Sequence, residues 1–298
     1  MERRLFIRNT SVLLGTGLLS KRTFSGLFRP DDYNIKMLRN NIGVFTERGG
    51  TIGFLLTGDG IVVIDAQFPD TAPHLIAELQ KRNSHPIRYL LNTHHHGDHT
   101  SGNIAFKGIA EQVAAHDNSL ANQKAVAEKN NTVDKQLYPN ITFKSDWKLK
   151  VGDENIRGDY YGAGHTNGDV VYHFQNGNIV HVGDLMFNKR HPFVDRTAGA
   201  NMGNWIKDID HIIKNSDKET IFIFGHSLNP GEETGTAEDL KKFQDYLSKV
   251  LTFASQEYKK GTTKEEFVKN TAIPGVTEWS GDGIERPLTA AYEEVAEK

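Results

Sequence analysis

Residues 91–100 read LNTHHHGDHT, which puts four histidines and one aspartate into the six positions from 94 to 99. The chain holds thirteen histidines in 298 residues, so this crowding needs a chemical reason. A core histidine comes singly, and a purification tag is a plain run at a terminus. Imidazole and carboxylate groups this close together suit metal binding, because each offers a lone pair on nitrogen or oxygen. There is no cysteine, which removes disulfides, thiolate ligands and a cysteine nucleophile together. Any metal must be held by nitrogen and oxygen alone. His94 and His96 are two apart in a segment expected to be extended, so their rings face one side. Asp98 and His99 follow once Gly97 has permitted a turn. His95 points the other way and is not expected to be a ligand.

The elements that must position this cluster are legible from patterning. From Tyr33 to Gln67 the apolar, β-branched runs IKMLRNNIGVF and TIGFLLTGDGIVVIDAQ read as strands, punctuated by NN, RGG and GDG turns. Residues 70–83 have helical spacing, with Asp70 or Thr71 as N-cap and Pro73 in the first turn. IRYLLNT (87–93) is a buried strand, and the histidines fall in the loop just past its C-terminal end. A strand over Gln112–Ala115 and a polar helix over Asp117–Lys129 follow. The pattern then restarts with ITFKSDWKLKVG, ENIRGDYYG and DVVYHFQNGNIVHVGD, where NGN makes a hairpin turn. A helix over 201–214, the strand and loop TIFIFGHS, and a long amphipathic helix over 236–256 complete it. The remainder reads as helical apart from 271–287. Strands then helices, twice over, predict an α+β fold with two packed sheets and helices outside. With no Pro/Ser-rich linker and no short-period repeat, residues 27–298 are expected to form one domain.

Three more candidates fall near strand ends. His165 sits in the glycine-rich loop YYGAGHTNGD, Asp184 ends the strand NIVHVGD, and His226 ends IFIFGHS. Loops along one edge of a sandwich converge in space. His94, His96, Asp98, His99, His165, Asp184 and His226 are too many ligands for one tetrahedral zinc. They fit two ions, Zn²⁺ by preference with Fe or Mn as alternatives, sharing a carboxylate and a water. Ligands spread from His94 to His226 require a finished fold, which suits a catalytic site better than a folding staple.

THHHGDHTSGN, GHTNGD, GD after one strand and GH after another resemble the metallo-β-lactamase superfamily, whose signature is H-x-H-x-D-H followed by three further ligand loops. The resemblance covers roughly residues 35 to 230 in the correct order, and Asp65 in VVIDAQ fits the family's acidic strand end. It implies a four-layer αβ/βα sandwich with a dinuclear site at one edge, here followed by a mostly helical C-terminal extension over 236–298. It also implies that His94, His96 and His165 hold one ion, that Asp98, His99 and His226 hold the other, and that Asp184 bridges. Two ions about 3.5–4 Å apart lower the pKa of a shared water from near 15.7 toward about 7. The implied activity is therefore zinc-dependent hydrolysis of an amide, ester, lactone or thioester in a small-molecule substrate, with Asp98 as the catalytic group that orients the water.

The same resemblance carries two alternatives, a class B β-lactamase and a mononuclear iron persulfide dioxygenase. Against the first, the major zinc β-lactamases have other residues at the position of Asp184. Phe187 also stands where one subclass often carries a carboxylate-binding lysine, and His99 where that subclass has arginine. Lys189 and Arg190 are read as a solvated loop. His116 is either a support for a ligand or structural. His74, His85, His173, His181 and His211 are read as surface or packing residues, and Trp205 and Trp279 as core.

A composition 37% hydrophobic and 24% charged with net charge −3 is that of a globular protein with a full core. No basic stripe alternates with aromatics, so nucleic acid is not an expected partner. Residues 1–26, with Arg3-Arg4 before an apolar run, resemble a twin-arginine export signal and point to the bacterial periplasm. The run from Ser11 to Leu19 is too short to span a bilayer, so no stable membrane anchor is expected.

Overall fold

Short β-branched runs closed by Asn and Gly turns make the first part of the chain a meander. In the computed structural model, which describes residues 33–297, β1 (Asn34–Met37), β2 (Ile42–Thr46), β3 (Ile52–Thr57) and β4 (Gly60–Ile64) pair antiparallel in succession. The export-signal reading of residues 1–26 lies outside the described residues. Helix α1 (Ala72–Arg82) follows Thr71 at its N-cap, with Pro73 in its first turn. After that crossover β5 (Ile87–Leu91), β6 (Ala110–His116) and β7 (Ile141–Phe143) add in parallel, giving seven strands in chain order. The short helix α2 (Gly97–Thr100) lies between β5 and β6, and α3 (Asp117–Lys129) between β6 and β7.

The second sheet begins later than the patterning suggests. Ile141–Phe143, expected to open the second set of strands, instead pairs with β6 and ends the first sheet. The chain then changes sheets, and β8 (Asp146–Val151), β9 (Glu154–Asp159), β10 (Val171–Phe174) and β11 (Ile179–Asn188) run antiparallel. Helix α4 (Met202–Lys214) provides the crossover that lets β12 (Ile221–Ser227) lie parallel to β11, and β13 (Thr234–Gly235) closes the edge.

Strand alternation separates three apolar layers. Phe54 and Val63 face α1 with Leu75 and Leu79. Their neighbours Leu55, Val62 and Ile64 face the second sheet, meeting Tyr172, Phe174 and Ile223. On the far side Val180, Val182, Phe222 and Phe224 pack against Trp205 and Ile209 of α4 and against Leu240, Phe243, Leu247 and Val250 of α5 (Ala237–Lys259). The result is a four-layer αβ/βα sandwich with C-terminal helices, α6 (Lys264–Phe267) and α7 (Glu285–Ala296) following α5. Helix α5 opens the helical C-terminal extension and lies in the outer layer, its apolar stripe covering the second sheet. Among the described residues no helix is long and apolar enough to cross a membrane.

Candidate metal centre

The topology brings every candidate to one edge. β4 delivers Asp65, β5 delivers the segment 92–99, and β12 delivers His226. β10 runs antiparallel to β11, so the loop entering β10 brings His165 to the same place. Asp184 does not end its strand as expected. β11 continues to Asn188 and pairs with β12 again at Phe187↔His226, after a break in register between Gly183 and Phe187. That break turns Asp184 out of the ladder. The segment around His94 is also not uniformly extended, since the chain bends at Thr93–His94 and Gly97 opens α2 directly.

Two glycines make room for the ligands. A Cβ at position 50 would lie 2.1 Å from the His99 ring, and one at position 225 would lie 2.1 Å from Asp184 Oδ1.

The side chains fall into two groups that meet at Asp184. His94, His96, His165 and Asp184 each present one donor atom, all within 4.8 Å of one another. His96 Nδ1 is 3.0 Å from His94 Nε2 and 2.9 Å from His165 Nε2. Asp184 Oδ2 is 3.3 Å from His165 Nε2 and 3.7 Å from His94 Nε2. Asp98, His99 and His226 form the second group. His226 Nε2 lies 3.1 Å from Asp98 Oδ2, 3.3 Å from His99 Nε2 and 3.4 Å from Asp184 Oδ2. Asp184 Oδ1 is 3.0 Å from His99 Nε2, yet among the described residues this buried oxygen has no hydrogen bond of proper geometry.

The far nitrogen of each ring tells where its proton is. His96 Nε2 faces Asp195 Oδ2 at 3.0 Å, and His165 Nδ1 faces the Phe193 carbonyl at 2.9 Å. The Thr93 hydroxyl donates to Asp65 Oδ2 at 2.7 Å and so accepts from His94 Nδ1 at 3.0 Å. His99 Nδ1 donates to the same Asp65 oxygen at 2.8 Å. With the far nitrogens of His94, His96 and His165 protonated, three bare nitrogen lone pairs converge with no hydrogen between them. A cation satisfies that arrangement with Asp184 Oδ2 beside it, and the orphaned Asp184 Oδ1, turned to His99 Nε2, fits a cation in the second group.

The electrostatics agree for the first group, and in the second the carboxylates draw positive charge onto His99 and His226. Burial holds His94 well below its ordinary value and His165 down to about 3, so both are neutral lone-pair donors. Burial also opposes charge on His99, but Asp184, Asp98 and Asp65 hold it well above its usual range. Burial opposes charge on Asp184 too, and His226, His99 and His94 nevertheless keep its carboxyl well below the ordinary range. Asp98 is held down similarly by His99 and His226 against its burial. The edge as a whole holds anionic oxygens ready for positive charge.

Sequence reasoning missed Asp195 and the Phe193 carbonyl. Asp195 follows a loop ninety-nine positions beyond His96 and belongs to no motif. Asp65 had a positional signal at the end of its strand. His95 sits behind His96 with Nε2 3.6 Å from Asp195 Oδ2. His116 resolves as structural, since it caps α3 through Nδ1, faces the Lys144 carbonyl through Nε2 and stacks on Tyr160. His191, which the motifs did not touch, pairs with the Tyr246 hydroxyl at 2.9 Å. Trp205 is fully buried, and Trp279 donates to the Phe187 carbonyl. Phe187 is itself buried and stacks on His226 at 5.1 Å, while Lys189 is held by Glu232 at 2.9 Å.

The family model of the metallo-beta-lactamase superfamily matches residues 45–226. Metallo-beta-lactamase IND-1 of Chryseobacterium indologenes is 25% identical over 229 residues, covering 75% of this chain and 90% of that protein. A hydroxyacylglutathione hydrolase of Pelagibacter ubique (strain HTCC1062) is 32% identical over 127 residues, covering 40% of this chain and 44% of that protein. Among solved structures, a metallo-beta-lactamase from Pontibacter korlensis shares the fold with a TM-score of 0.59 at 19% identity, covering 72% of this chain and 99% of that one. With the motif, the sandwich and the His/Asp cluster at its edge, the chain belongs to the metallo-beta-lactamase superfamily and is one of its metal-dependent hydrolases.

Proposed function

We propose that this hydrolase works with two zinc ions on a small-molecule amide, ester, lactone or thioester. His94, His96 and His165 would hold one ion, Asp98, His99 and His226 the other, and Asp184 both. The convergence of three unprotonated imidazole nitrogens beside Asp184 Oδ2, with the orphaned Asp184 Oδ1 turned to His99, carries this reading. Zinc in such a site supplies a Lewis acid and a water acidic enough to attack at neutral pH. The protein's own part falls to Asp98, whose side chain is 32% exposed while that of Asp184 is buried. Its Oδ2 lies 3.1 Å from His226 Nε2, and Asp98 would orient the attacking water and pass a proton to the leaving group. Asp65, Asp195 and the Phe193 carbonyl fix the tautomers of His99, His96 and His165.

A β-lactam is the second substrate reading. It is favoured by similarity to proteins named metallo-beta-lactamase over 75% of the chain and opposed by the buried phenyl ring of Phe187 where a carboxylate-binding cation would be needed. Export of residues 1–26 through the twin-arginine route belongs to the same proposal, on Arg3-Arg4 and the apolar run that follows. Elemental analysis of untagged protein purified without added metal tests the core of it. Two zincs per chain, with hydrolysis lost in Asp98→Ala, is the expected result. One tightly bound iron and oxygen consumption with a persulfide would overturn it in favour of the dioxygenase.

A further inference from the structure

The segment 279–286, between α6 and the first turn of α7, lies beyond the residues 45–226 that the family model matches. It nevertheless borders both halves of the metal centre. Trp279 Nε1 donates to the Phe187 carbonyl at 3.0 Å, and Ser280 N donates to the Lys189 carbonyl at 3.0 Å. Gly281 sits against Leu228, two residues past His226, where an added Cβ would come within 3.2 Å of Leu228 Cδ1. At the other end the Arg286 guanidinium lies 5.9 Å from the ring centroid of Phe193. Phe193 in turn stands 5.3 Å from the His96 ring and 6.4 Å from that of His165. One aromatic ring therefore separates the guanidinium from a proposed metal ligand.

Two features of this wall call for a ligand. Phe193 is 42% exposed and Leu228 is 40% exposed. Both large apolar side chains stand in solvent on loops that follow ligand-bearing strands, where exposed apolar surface commonly serves binding. The second feature is the state of the nearby cations. Arg48 is committed to Asp70, Lys189 to Glu232 and Arg196 to Glu297. Among the described residues Arg190, whose backbone bridges Ser280, has no ion pair and Arg286 has only Glu285 Oε1 at 3.8 Å; of the two, Arg286 is the one over Phe193, with its side chain 56% exposed. A guanidinium over an aromatic face keeps its edge N–H groups free for an incoming carboxylate.

We infer that segment 279–286 forms the recognition wall of the centre and that Arg286 anchors a carboxylate on a substrate whose apolar body lies along Phe193 and Leu228. Calling that ligand a substrate rests on the hydrolase reading above; the binding itself does not. The wall selects acids over neutral analogues of the same shape, and it places the selecting cation on the C-terminal helices instead of on the loop after Asp184. Arg286 is a specificity residue, and it takes no part in bond breaking.

Calorimetric titration of the zinc-loaded full chain with 3-phenylpropanoate and with neutral 3-phenylpropanol tests it. Arg286→Met should weaken phenylpropanoate about 1.5- to fivefold, the range for one exposed ion pair, and leave phenylpropanol unchanged. Arg286→Lys should fall between, and Glu285→Gln should tighten the acid by removing the competing carboxylate. Unchanged phenylpropanol binding shows that the wall is still folded. Equal acid affinity in the wild type and Arg286→Met overturns the inference, as does equal loss for both ligands or no saturable binding of the acid by the wild type. Hydrolysis of mono-4-nitrophenyl glutarate and of 4-nitrophenyl butyrate separates the two readings. If the binding difference is present and neither ester is cleaved, the anchor stands and ester hydrolysis fails. If both esters are cleaved with KM values indifferent to Arg286, the hydrolase stands and the anchor fails.

Discussion

Asp65 Oδ2 accepts from His99 Nδ1 at 2.8 Å, and neither side chain is exposed to solvent. The same oxygen takes the Thr93 hydroxyl at 2.7 Å, while Oδ1 takes the Thr93 backbone N–H at 2.8 Å. Through Thr93 the carboxylate also fixes His94. One buried residue, held at a φ of 67° just past β4, therefore orients a histidine in each half of the centre. That couples the two halves without a direct bond between them.

Asp65→Asn tests the coupling with the least disturbance, because asparagine tolerates the left-handed backbone. Its amide supplies one oxygen where the carboxylate supplies two, so one of the three donors must face an N–H₂ group. Zinc affinity measured by competition with a coloured chelator should fall about 10- to 100-fold, the range for losing a group that orients a ligand. A chelator curve overlying that of the wild type would show that Asp65 does not orient the site.

Asp195 makes the equivalent prediction for His96, the one proposed ligand it faces. Replacing it with alanine removes the acceptor for His96 Nε2–H, now 3.0 Å away, and leaves the ring free to rotate. The slowly exchanging imidazole N–H proton of His96 should vanish from the downfield NMR spectrum, and zinc affinity should fall about tenfold or more. Persistence of that proton in Asp195→Ala would refute the assignment.

Covalent adjacency decides how much of this was legible in the sequence. His94, His96, Asp98 and His99 lie within six positions, so no fold is needed to see that they share a task. The sheets were legible because Val62–Ile64 and Ile221–Phe224 are short apolar runs between turn residues. Asp184 was misplaced because Gly183-Asp184 looks like a strand terminator, whereas Leu185–Asn188 continues the strand after a register break. Register is a property of the partner strand, so one strand's sequence does not carry it. Asp195 was invisible for a related reason, since its relation to His96 exists only after two loops fold together. Helix α5 was legible from its apolar spacing, while its packing against Phe222 and Phe224 exists only in the fold.

Gly225 precedes His226 and sits against the carboxylate proposed to be shared. A Cβ there would lie 2.1 Å from Asp184 Oδ1 and 2.6 Å from the Gly183 carbonyl carbon, so side chain and backbone both block it. Gly225→Ala should destabilise the protein by about 1–3 kcal/mol, as overpacking does, and should lower bound metal by elemental analysis. Gly58→Ala, with nothing among the described residues within 4 Å of the added carbon, is the control and should match the wild type in melting temperature and metal content. Full metal content in Gly225→Ala would show that Asp184 need not stay where it is.

Asp208, on α4 behind the His165 loop, gives a pH dependence whose sign runs against the usual carboxylate. Its burial pushes it up to about 7, although Asn204 donates to it. The unfolded value is near 3.9. Between about pH 4 and pH 7 the native state holds a proton that the unfolded chain has released, so stability falls as pH rises across that window. The contribution is fully present below about pH 4 and gone above about pH 7, with a slope of at most ~1.4 kcal/mol per pH unit. Asp169, raised to about 8 by burial, pulls the same way, so the variant must be compared with the wild type at each pH. Asp208→Asn, which keeps the shape without the titration, should lose its share of the slope and gain relative to the wild type as pH climbs from 4.5 to 7.5 in urea unfolding. A difference between the two proteins that is constant across that range would mean that Asp208 is already ionised in the folded state at low pH.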